Sequence, residues 1–249
     1  MIDLARTTLD PGCFTSRSTE MSDFYSSAVG LPFLERLEHS PTYRELMFSL
    51  YEGKLKVQSF DEAMPVSASG YRELIVARDD AAEVRHLTDP DGTAVSVVPS
   101  GHRGVVNIGF ECAVADVERQ RRFYVEGMGA SESDGGLSVG TSRIFLTHDE
   151  TRTADANTPP RSVGFVYVTL IVHDAEAARR QLVDAGAGDS LRMLRLDDRC
   201  IFCWLRDPHG NWIEVVQYAD LSGPLPDIDR IADHWPEVSR WRETGVAVA

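Results

Sequence analysis

The chain has 249 residues, of which 43% are hydrophobic and 26% charged, and its formal net charge is −14 at pH 7. This composition is typical of a globular protein with two ordinary domains or one large one. Phosphate binding needs a basic surface, and no cluster of Lys and Arg offsets the acidic balance, so nucleic acid and anionic membranes are not expected partners. No apolar segment is long enough to cross a bilayer, and the N-terminal MIDLARTTLD lacks the apolar core of a secretion signal, so we expect a cytoplasmic protein.

The four cysteines are Cys13, Cys112, Cys200 and Cys203. Cys200 and Cys203 are spaced as CxxC, but they lie in RCIFCWL, whose composition favours a strand. Side chains alternate along a strand, so residues three apart point to opposite faces and cannot chelate a metal together. We therefore predict buried thiols that pack as small hydrophobic side chains, and no disulfide framework.

The first hundred residues are predicted to form two related units. The first combines a strand, a helix over about 19–29 that ends at Gly30, and three further strands. The second is shorter, has at most a short helix, and is expected to lack the middle strands of the first. The strands with the clearest boundaries are Tyr43 to Leu50, Lys54 to Phe60 and Tyr71 to Ala77.

Residues 104–219 are predicted to contain two further units of the same kind. AVADVERQRRFYVEGMG superposes on LIVHDAEAARRQLVDAG when Asp116 is aligned with Asp174, and each Asp is expected to cap a helix that glycines end. A repeat of this length indicates that each unit buries one face against a partner unit. We therefore predict an α+β fold of tandem βαβββ units, with an N-terminal domain at 1–100 and a C-terminal domain at 104–219.

Residues 220–249 have the pattern of a helical tail. Apolar residues recur there at a spacing of three or four: Ile228, Ile231, Trp235, Val238 and Trp241. This predicts two short amphipathic helices, with Pro236 in the first turn of the second. The tail either docks on the second domain, which is the interpretation we adopt, or covers a cavity mouth or a dimer interface.

The stretch LRDPHGNWIEVVQY, at 205–218, carries the clearest functional signal. Pro and Gly specify a reverse turn, and the residues after the turn favour a strand on which Trp212, Glu214 and Val216 share one face. A carboxylate on such an apolar strand is costly unless it is ion-paired, bound to a metal or facing a wet cavity. A related stretch, LTDPDGTAVSVVP at 87–99, carries Ser96 at the position of Glu214.

These features resemble the vicinal oxygen chelate superfamily, which includes glyoxalase I, bleomycin-resistance proteins and extradiol dioxygenases. The resemblance covers roughly 13–218 and rests on the paired βαβββ units, the two DPxG strands and a Phe-Tyr pair followed by a glycine after the helix. The Phe-Tyr pairs and their glycines are Phe24-Tyr25 with Gly30 and Phe123-Tyr124 with Gly129. The resemblance implies half-barrel domains around a divalent metal, with ligands on the first and last strands of the units. Four units in one chain resemble the two-domain dioxygenases, in which the C-terminal domain holds iron.

Glu214 matches the last-strand carboxylate of that family, but the other ligand positions do not match it. The C-terminal domain has Gly109, Phe145 and Tyr167 there, and the N-terminal domain has Asp10, Lys56, Arg72 or Glu73, and Ser96. Such a set cannot hold Fe²⁺ or Zn²⁺ as two His and a carboxylate do, so we expect no cofactor. If Fe, Zn or Mn is bound, the expected ligands are Glu214 and His148, the latter turned inward by a β-bulge. Lys56 and Arg72 are interpreted as solvated surface charges, with an anion-binding role as the alternative.

Glu214 and Tyr167 are the predicted catalytic residues. A carboxylate desolvated among aromatic rings has its pKa raised toward that of a useful general base, and the Tyr167 phenol could donate a hydrogen bond to a carbonyl or enolate oxygen. This pair predicts metal-independent acid/base chemistry of the isomerase, lyase or cyclase type on a small aromatic or carbonyl-containing molecule in the cavity of the C-terminal domain. The predicted binding residues are Phe145, Trp212, Trp204 and Gly109.

Two alternative functions stay open from the sequence. One is a metal-dependent enzyme like the dioxygenases or glyoxalases. The other is a non-catalytic small-molecule binding or antibiotic-sequestration protein, in which Glu214 would be ion-paired with Arg143 or Arg192. The expected partner is a small molecule in each case, and a homodimer is possible.

Overall fold

The computed structural model describes residues 2–133, 135–152 and 159–245. In chain order its strands are β1 (Asp10–Thr15), β2 (Phe33–Ser40), β3 (Tyr43–Leu50), β4 (Gly53–Phe60), β5 (Tyr71–Arg78), β6 (Arg85–Thr88), β7 (Ala94–Pro99), β8 (Ile108–Val114), β9 (Ser131–Ser133), β10 (Gly136–Val139), β11 (Ser142–His148), β12 (Gly164–Ile171), β13 (Gly188–Leu196), β14 (Cys200–Arg206) and β15 (Trp212–Tyr218). Its α-helices are α1 (Ser18–Asp23), α2 (Val117–Met128), α3 (Ala175–Asp184), α4 (Ala219–Ser222) and α5 (Trp235–Thr244).

The predicted α+β fold of repeated βαβββ units is confirmed. The first, third and fourth units each have a strand, a helix and three further strands. In the first unit, α1 continues as a π-helix over Phe24–Val29 and ends at Gly30, whose φ of 83° only glycine adopts readily. The second unit has no helix among the described residues and keeps one middle strand, β6, which the sequence did not predict.

The strands form two sheets that pair the units in an unexpected way. The eight-stranded sheet has the order β13-β14-β15-β12-β1-β4-β3-β2, so it joins the first unit to the fourth. The seven-stranded sheet has the order β6-β7-β5-β8-β11-β10-β9 and joins the second unit to the third. At the centre of the larger sheet, β1 and β12 run antiparallel, with Asp10 opposite Thr169 and Gly12 opposite Tyr167.

The predicted division at 1–100 and 104–219 therefore does not coincide with the two sheets, since each sheet takes one unit from either side of it. Apolar periodicity shows that a unit needs a partner to cover its buried face, but it does not show which unit that partner is. The consequence for function is direct. The concave face that carries Glu214 is completed by the first unit and not by the third.

Alternation along β15 divides its side chains between two cores. Ile213 and Val215 join the large core, on the side where α3 packs against β14 and β15. Trp212 and Val216 join a second cluster on the concave side of the sheet. Glu214 lies between those two positions, so it faces the concave side as well.

The predicted helix caps and the predicted cysteine environment are confirmed. Asp116 and Asp174 accept hydrogen bonds from backbone N–H groups in the first turns of α2 and α3, at 2.9 and 2.8 Å. All four cysteines are buried and free. Cys200 and Cys203 belong to different cores, as expected for residues three apart on a strand.

The C-terminal tail packs on the concave side of the fourth unit. The indole N–H of Trp241 donates to Ser190 Oγ at 3.0 Å, and Val238 is buried beside it. Pro236 lies in the first turn of α5, as predicted. The first predicted helix is only a 3₁₀ turn at Ile231–His234, and residues 246–249 of the predicted tail lie outside the described residues. No helix in the described ranges is long and apolar enough to span a membrane.

Candidate functional site

A cavity of about 520 Å³ opens on the concave face of the eight-stranded sheet. The strands β2, β3 and β4 of the first unit form one wall, and β14 and β15 of the fourth unit form the other. Ile231, Trp235 and Arg242 of the tail complete the lining. The volume lies within the range of small-molecule sites. The tail thus both docks on the fourth unit and lines the cavity, which combines the two interpretations made from the sequence.

Aromatic side chains form much of the cavity wall. The lining rings are Tyr43, Phe202, Trp204, Tyr218 and Trp235. Behind them, Trp204 contacts Trp212 and Trp241 with ring centroids 6.1 and 5.2 Å apart. The four tryptophans of the chain therefore lie in or next to this one cavity. Such walls suit a flat, largely apolar ligand.

A buried ion pair lies at the floor of the cavity. Lys56 Nζ is 2.8 Å from Glu214 Oε2, and the side chains of Lys56 and Glu214 are 5% and 12% exposed. The hydroxyl of Thr169 donates to the same Glu214 oxygen at 2.7 Å and accepts a hydrogen bond from Lys56 Nζ at 3.2 Å. Thr169 lies directly opposite Glu214 in the β12–β15 register. Because Lys56 comes from β4, the pair joins the first unit to the fourth.

Electrostatics hold the Lys56 ammonium in its charged form. Burial alone would lower the pKa of Lys56, but the Glu214 carboxylate, with smaller contributions from Tyr218 and Tyr167, raises that pKa well above its ordinary value. The nearby Asp10 behaves differently. Burial raises the pKa of Asp10 to about 6, although Lys56 and the backbone N–H of Lys54 lower it. The floor therefore carries a fixed ammonium group, and the buried Asp10 carboxyl near it changes its charge in a mildly acidic range.

A second polar array runs from the tail into the floor. Gln58 donates from Nε2 to the Tyr167 hydroxyl at 2.7 Å, and its Oε1 accepts a hydrogen bond from the Tyr43 hydroxyl at 3.0 Å. The Tyr167 ring lies against Gly12, where an added Cβ would be 2.0 Å from the ring. Burial and the Glu214 carboxylate raise the pKa of Tyr167 well above its usual range. Tyr167 is therefore a neutral, fully buried phenol, packed on the concave side of the sheet against Trp204.

His39 and Glu45 form a further polar pair on the first-unit wall. His39 Nε2 lies 3.3 Å from Glu45 Oε2, and the His39 ring stacks on Tyr43 with centroids 4.6 Å apart. Burial would raise the pKa of Glu45, but the hydrogen bond from His39 and the charge of Lys56 outweigh it and lower that pKa. Glu45 is therefore an ionised carboxylate at neutral pH.

Comparison with known proteins agrees with this architecture. Residues 107–215 match the sequence model of the Glyoxalase/Bleomycin resistance protein/Dioxygenase superfamily. Glyoxalase I from Zea mays has a similar structure, with a TM-score of 0.67 and 14% identity over 86% of this chain and 94% of that chain. The matched segment covers the third unit and most of the fourth, so this part of the chain resembles that superfamily in sequence as well as in fold.

Two further solved structures are similar over most of their length. A putative dioxygenase from Bacillus subtilis subsp. subtilis str. 168 has a TM-score of 0.59 and 12% identity, covering 97% of this chain and 96% of that one. The cppA protein from Streptococcus pneumoniae TIGR4 has a TM-score of 0.53 and 11% identity, covering 87% of this chain and 100% of that one. No protein with curated annotation matches the chain in sequence. At these identities the similarity shows the fold alone.

The residues at the floor do not fit the divalent metal that the resemblance to the vicinal oxygen chelate superfamily implies. A metal needs deprotonated ligands around a vacant centre, whereas Lys56 is a protonated ammonium group 2.8 Å from Glu214. No group of three or more His, Cys, Asp and Glu in the described ranges is arranged to hold an ion. Lys56 thus supplies one positive charge directly beside the Glu214 carboxylate.

The predicted site residues are divided between the two sheets. Glu214 and Trp204 line the cavity, and Trp212 lies behind Trp204 beneath the guanidinium of Arg206, 4.0 Å from its ring. Tyr167 is on the same sheet and faces the same side, but it is covered by its neighbours and does not line the cavity. Phe145, Gly109 and His148 lie on the seven-stranded sheet, so the structure does not bring them to Glu214.

Each of those three residues has a local role instead. The Phe145 ring is covered by the Arg103 guanidinium at 3.9 Å, and Gly109 is opposite Arg143 in the β8–β11 register. His148 is the exposed last residue of β11, so the proposed pairing of His148 with Glu214 around a metal is not formed.

The alternative ion partners of Glu214 are also engaged elsewhere. Arg143 donates to Ser133 and Ser138, and Arg192 is 2.7 Å from Asp229. Arg72 pairs with Asp149 at 3.4 Å on the other sheet. The interpretation of Lys56 as a solvated surface charge was wrong, since Lys56 is buried.

Sequence reasoning missed the contribution of the first unit to the site. Four residues were not singled out: His39, Glu45, Gln58 and Thr169. A signal was present in GKLKVQSF, where Lys56 and Gln58 alternate with apolar residues on a strand with buried positions on both sides. Two adjacent polar positions on one face of a buried strand indicate a polar cavity.

Proposed function

We propose that the cavity binds a small organic molecule with a flat apolar part and a carbonyl group, and that Glu214 transfers a proton at the carbon next to that carbonyl. The observation that carries the proposal is the Lys56–Glu214 pair at the floor of an aromatic cavity. Reactions of this type include isomerisation, elimination and cyclisation.

The two charged groups have distinct roles in this reaction. Both hydrogen bonds that Glu214 accepts from described residues end on Oε2, which leaves Oε1 to take the proton. An ammonium group has three N–H donors, and Lys56 uses two of them, with Glu214 and Thr169. The remaining donor can bind the carbonyl oxygen and stabilise the negative charge that develops on it.

This proposal assigns the donor role to Lys56 instead of Tyr167. The Tyr167 hydroxyl accepts a hydrogen bond from Gln58, and Tyr167 is not among the lining residues. A lysine ammonium is also the stronger donor, because hydrogen bonds from charged groups are about twice as strong as neutral ones. Tyr167 instead holds the Gln58 side chain in place through their hydrogen bond.

Binding without chemistry is the second candidate function. The observation that favours it is the ion pair itself, because Lys56 and Thr169 already engage the Glu214 carboxylate in the ligand-free structure. A sequestration protein would use the same aromatic walls and return its ligand unchanged. A metal-dependent reaction has less support, since the donor set does not fit a divalent ion.

The test begins with a thermal-shift screen of aryl ketones, 2-oxo acids and quinones against the full chain. Bound compounds are then incubated with the protein in D₂O, and exchange of the hydrogen next to the carbonyl is followed by NMR. The proposal predicts exchange above the protein-free rate, and a loss of about 100-fold in Glu214→Gln, the magnitude of one positioned general base.

The matched control is Glu35→Gln, which removes a carboxylate at the exposed edge of the same cavity. That variant should exchange at the wild-type rate. Tight binding with no exchange would favour the sequestration candidate and contradict proton transfer. Exchange that persists in Glu214→Gln would remove Glu214 from the reaction.

A further inference from the structure

One basic side chain in the cavity lacks a carboxylate partner. The Lys and Arg residues that line the cavity are Lys54, Lys56, Arg199 and Arg242. Three of them are ion-paired: Lys54 with Glu35 at 3.2 Å, Lys56 with Glu214 at 2.8 Å and Arg199 with Asp197 at 3.3 Å. Within the described ranges, no carboxylate oxygen lies within 4.0 Å of the Arg242 guanidinium. Glu45, which also lines the cavity, forms its close contact with His39 at 3.3 Å and interacts with the Arg242 charge only at longer range.

Aromatic contacts hold Arg242 in place without neutralising it. Its guanidinium carbon lies 4.6 Å from the ring centre of Tyr43 and 5.4 Å from that of Trp235. Among the residues that the structure describes, its side chain makes one hydrogen bond, a long one from Nη2 to the Tyr43 hydroxyl at 3.4 Å. A guanidinium has five N–H donors in a planar fork that matches a carboxylate. Arg242 therefore has an ordered, half-buried positive charge with most of its donors unused.

The position of Arg242 relative to Lys56 follows from the hydrogen bonds between them. Arg242 contacts the Tyr43 hydroxyl, which donates to Gln58 Oε1 at 3.0 Å. Gln58 lies two residues after Lys56 on β4, which corresponds to about 7 Å along a strand. The cavity is thus lined by one cationic donor at its floor, Lys56, and by a second on the tail, Arg242.

We propose that Arg242 binds an acidic group of the ligand, so that the ligand is a flat aromatic or unsaturated acid with its acidic group at Arg242. The placement of a carbonyl group at Lys56 rests on the proposed function. The acidic group at Arg242 rests on the unpaired guanidinium and would hold for a sequestration protein too. Because the whole chain has a net charge of −14, an anion gains nothing from the overall field and needs such a local site.

The experiment uses two fluorescent probes that share one aromatic framework. 8-Anilinonaphthalene-1-sulfonate carries an acidic group, and N-phenyl-1-naphthylamine lacks it. The dissociation constant of each is measured for the full-length wild type, for Arg242→Met and for Arg240→Met. Arg240 is exposed on the same helix, so its substitution removes the same charge outside the cavity.

The expected result is selective. Arg242→Met should weaken binding of the sulfonate probe about tenfold, the loss of one charge-assisted contact, and change binding of the neutral probe less than twofold. Arg240→Met should leave both dissociation constants within twofold of the wild type. Arg242→Lys should give an intermediate value, because it keeps the charge and loses the planar fork.

Three results would overturn the inference. Equal weakening of both probes in Arg242→Met would mean that Arg242 only holds α5 against the sheet. An unchanged sulfonate dissociation constant would place the acidic group elsewhere, and an equal effect of Arg240→Met would indicate a general charge effect. Circular dichroism checks that each variant is folded. If Arg242→Met does not fold, the dissociation constants of Arg242→Lys for the two probes test the inference instead. Neither probe is turned over, so a failure of the proton-transfer proposal leaves this test intact.

Discussion

The Lys56–Glu214 ion pair should couple the stability of the first unit to that of the fourth. Removing one partner of a buried ion pair leaves an uncompensated charge, which costs about 3–5 kcal/mol. The two side chains are 5% and 12% exposed, so water reaches the pair to a small extent and we expect the lower end of that range. For a chain of this size, a loss of about 3 kcal/mol lowers the melting temperature by roughly 6–12 °C.

A double-mutant cycle measures the pair itself. The variants are Lys56→Met, Glu214→Met and the double substitution, and the free energy of unfolding of each is taken from urea titration. Each single variant should be strongly destabilised, whereas the double variant should recover at least about 2 kcal/mol relative to the sum of the single changes. The recovery follows because the double variant buries no unpaired charge.

The surface pair Glu176–Arg180 is the control for this cycle. Its side chains are 68% and 60% exposed, so its coupling should not exceed about 0.5 kcal/mol. The ion pair would be refuted if each single substitution lowered the free energy of unfolding only slightly and the effects of the two substitutions were additive. Such a result would also contradict the pairing of the first unit with the fourth, because Lys56 and Glu214 would then lie on different sheets.

The remaining predictions concern the floor around that pair. Asp10 has a pKa raised by burial from 3.8 to about 6, so its ionisation destabilises the folded protein by up to about 3 kcal/mol above pH 6 and by nothing below pH 4. In urea titrations, the free energy of unfolding of Asp10→Asn should therefore fall less than that of the wild type between pH 4 and pH 7. Parallel profiles of unfolding free energy against pH would contradict the raised pKa of Asp10. Gly12→Ala should cost about 1–3 kcal/mol, because its Cβ would collide with the Tyr167 ring, whereas Gly188→Ala in β13 has room for a Cβ and should cost less than 1 kcal/mol. Equal melting temperatures for the two alanine variants would argue against the packing of Tyr167 on Gly12. Lys56→Glu replaces the ammonium with a carboxylate beside Glu214, and calorimetry should detect Mn²⁺ binding by this variant but not by the wild type. Equal Mn²⁺ affinities of the two proteins would contradict the role of Lys56 as the resident cation.

Local features of the sequence predicted the units of this fold well. Asp116 and Asp174 cap their helices as expected, because an N-cap depends on residues within one turn. The inward face of β15 was also predictable, since alternation alone places Trp212, Glu214 and Val216 on one side. The unit partners were not predictable in the same way. Pairing of β1 with β12 depends on contacts between residues 150 to 159 positions apart, and periodicity carries no information about them.

The errors at the site follow from not knowing that the first unit pairs with the fourth. With the first unit placed elsewhere, Lys56 had no carboxylate to pair with and was interpreted as a surface charge. Tyr167 was predicted by counting back from Asp174, whereas Thr169, two residues later on the same face, lies opposite Glu214. A period of two cannot distinguish these positions, because both point to the same side of the sheet. Phe145 was predicted by assigning the third unit to a cavity that the first unit completes.

The central claim is that Lys56 and Glu214 transfer a proton of the ligand without a metal. It is tested most directly by measuring exchange of the ligand's hydrogen next to the carbonyl with chelator-treated protein. The protein is dialysed against EDTA and then incubated in D₂O with a bound carbonyl compound from the screen, and NMR follows the hydrogen next to the carbonyl. A site built on Lys56 and Glu214 predicts that exchange continues at the rate of the untreated protein and falls about 100-fold in Glu214→Gln. Loss of exchange after chelation, with recovery on adding Mn²⁺ or Zn²⁺, would contradict the account.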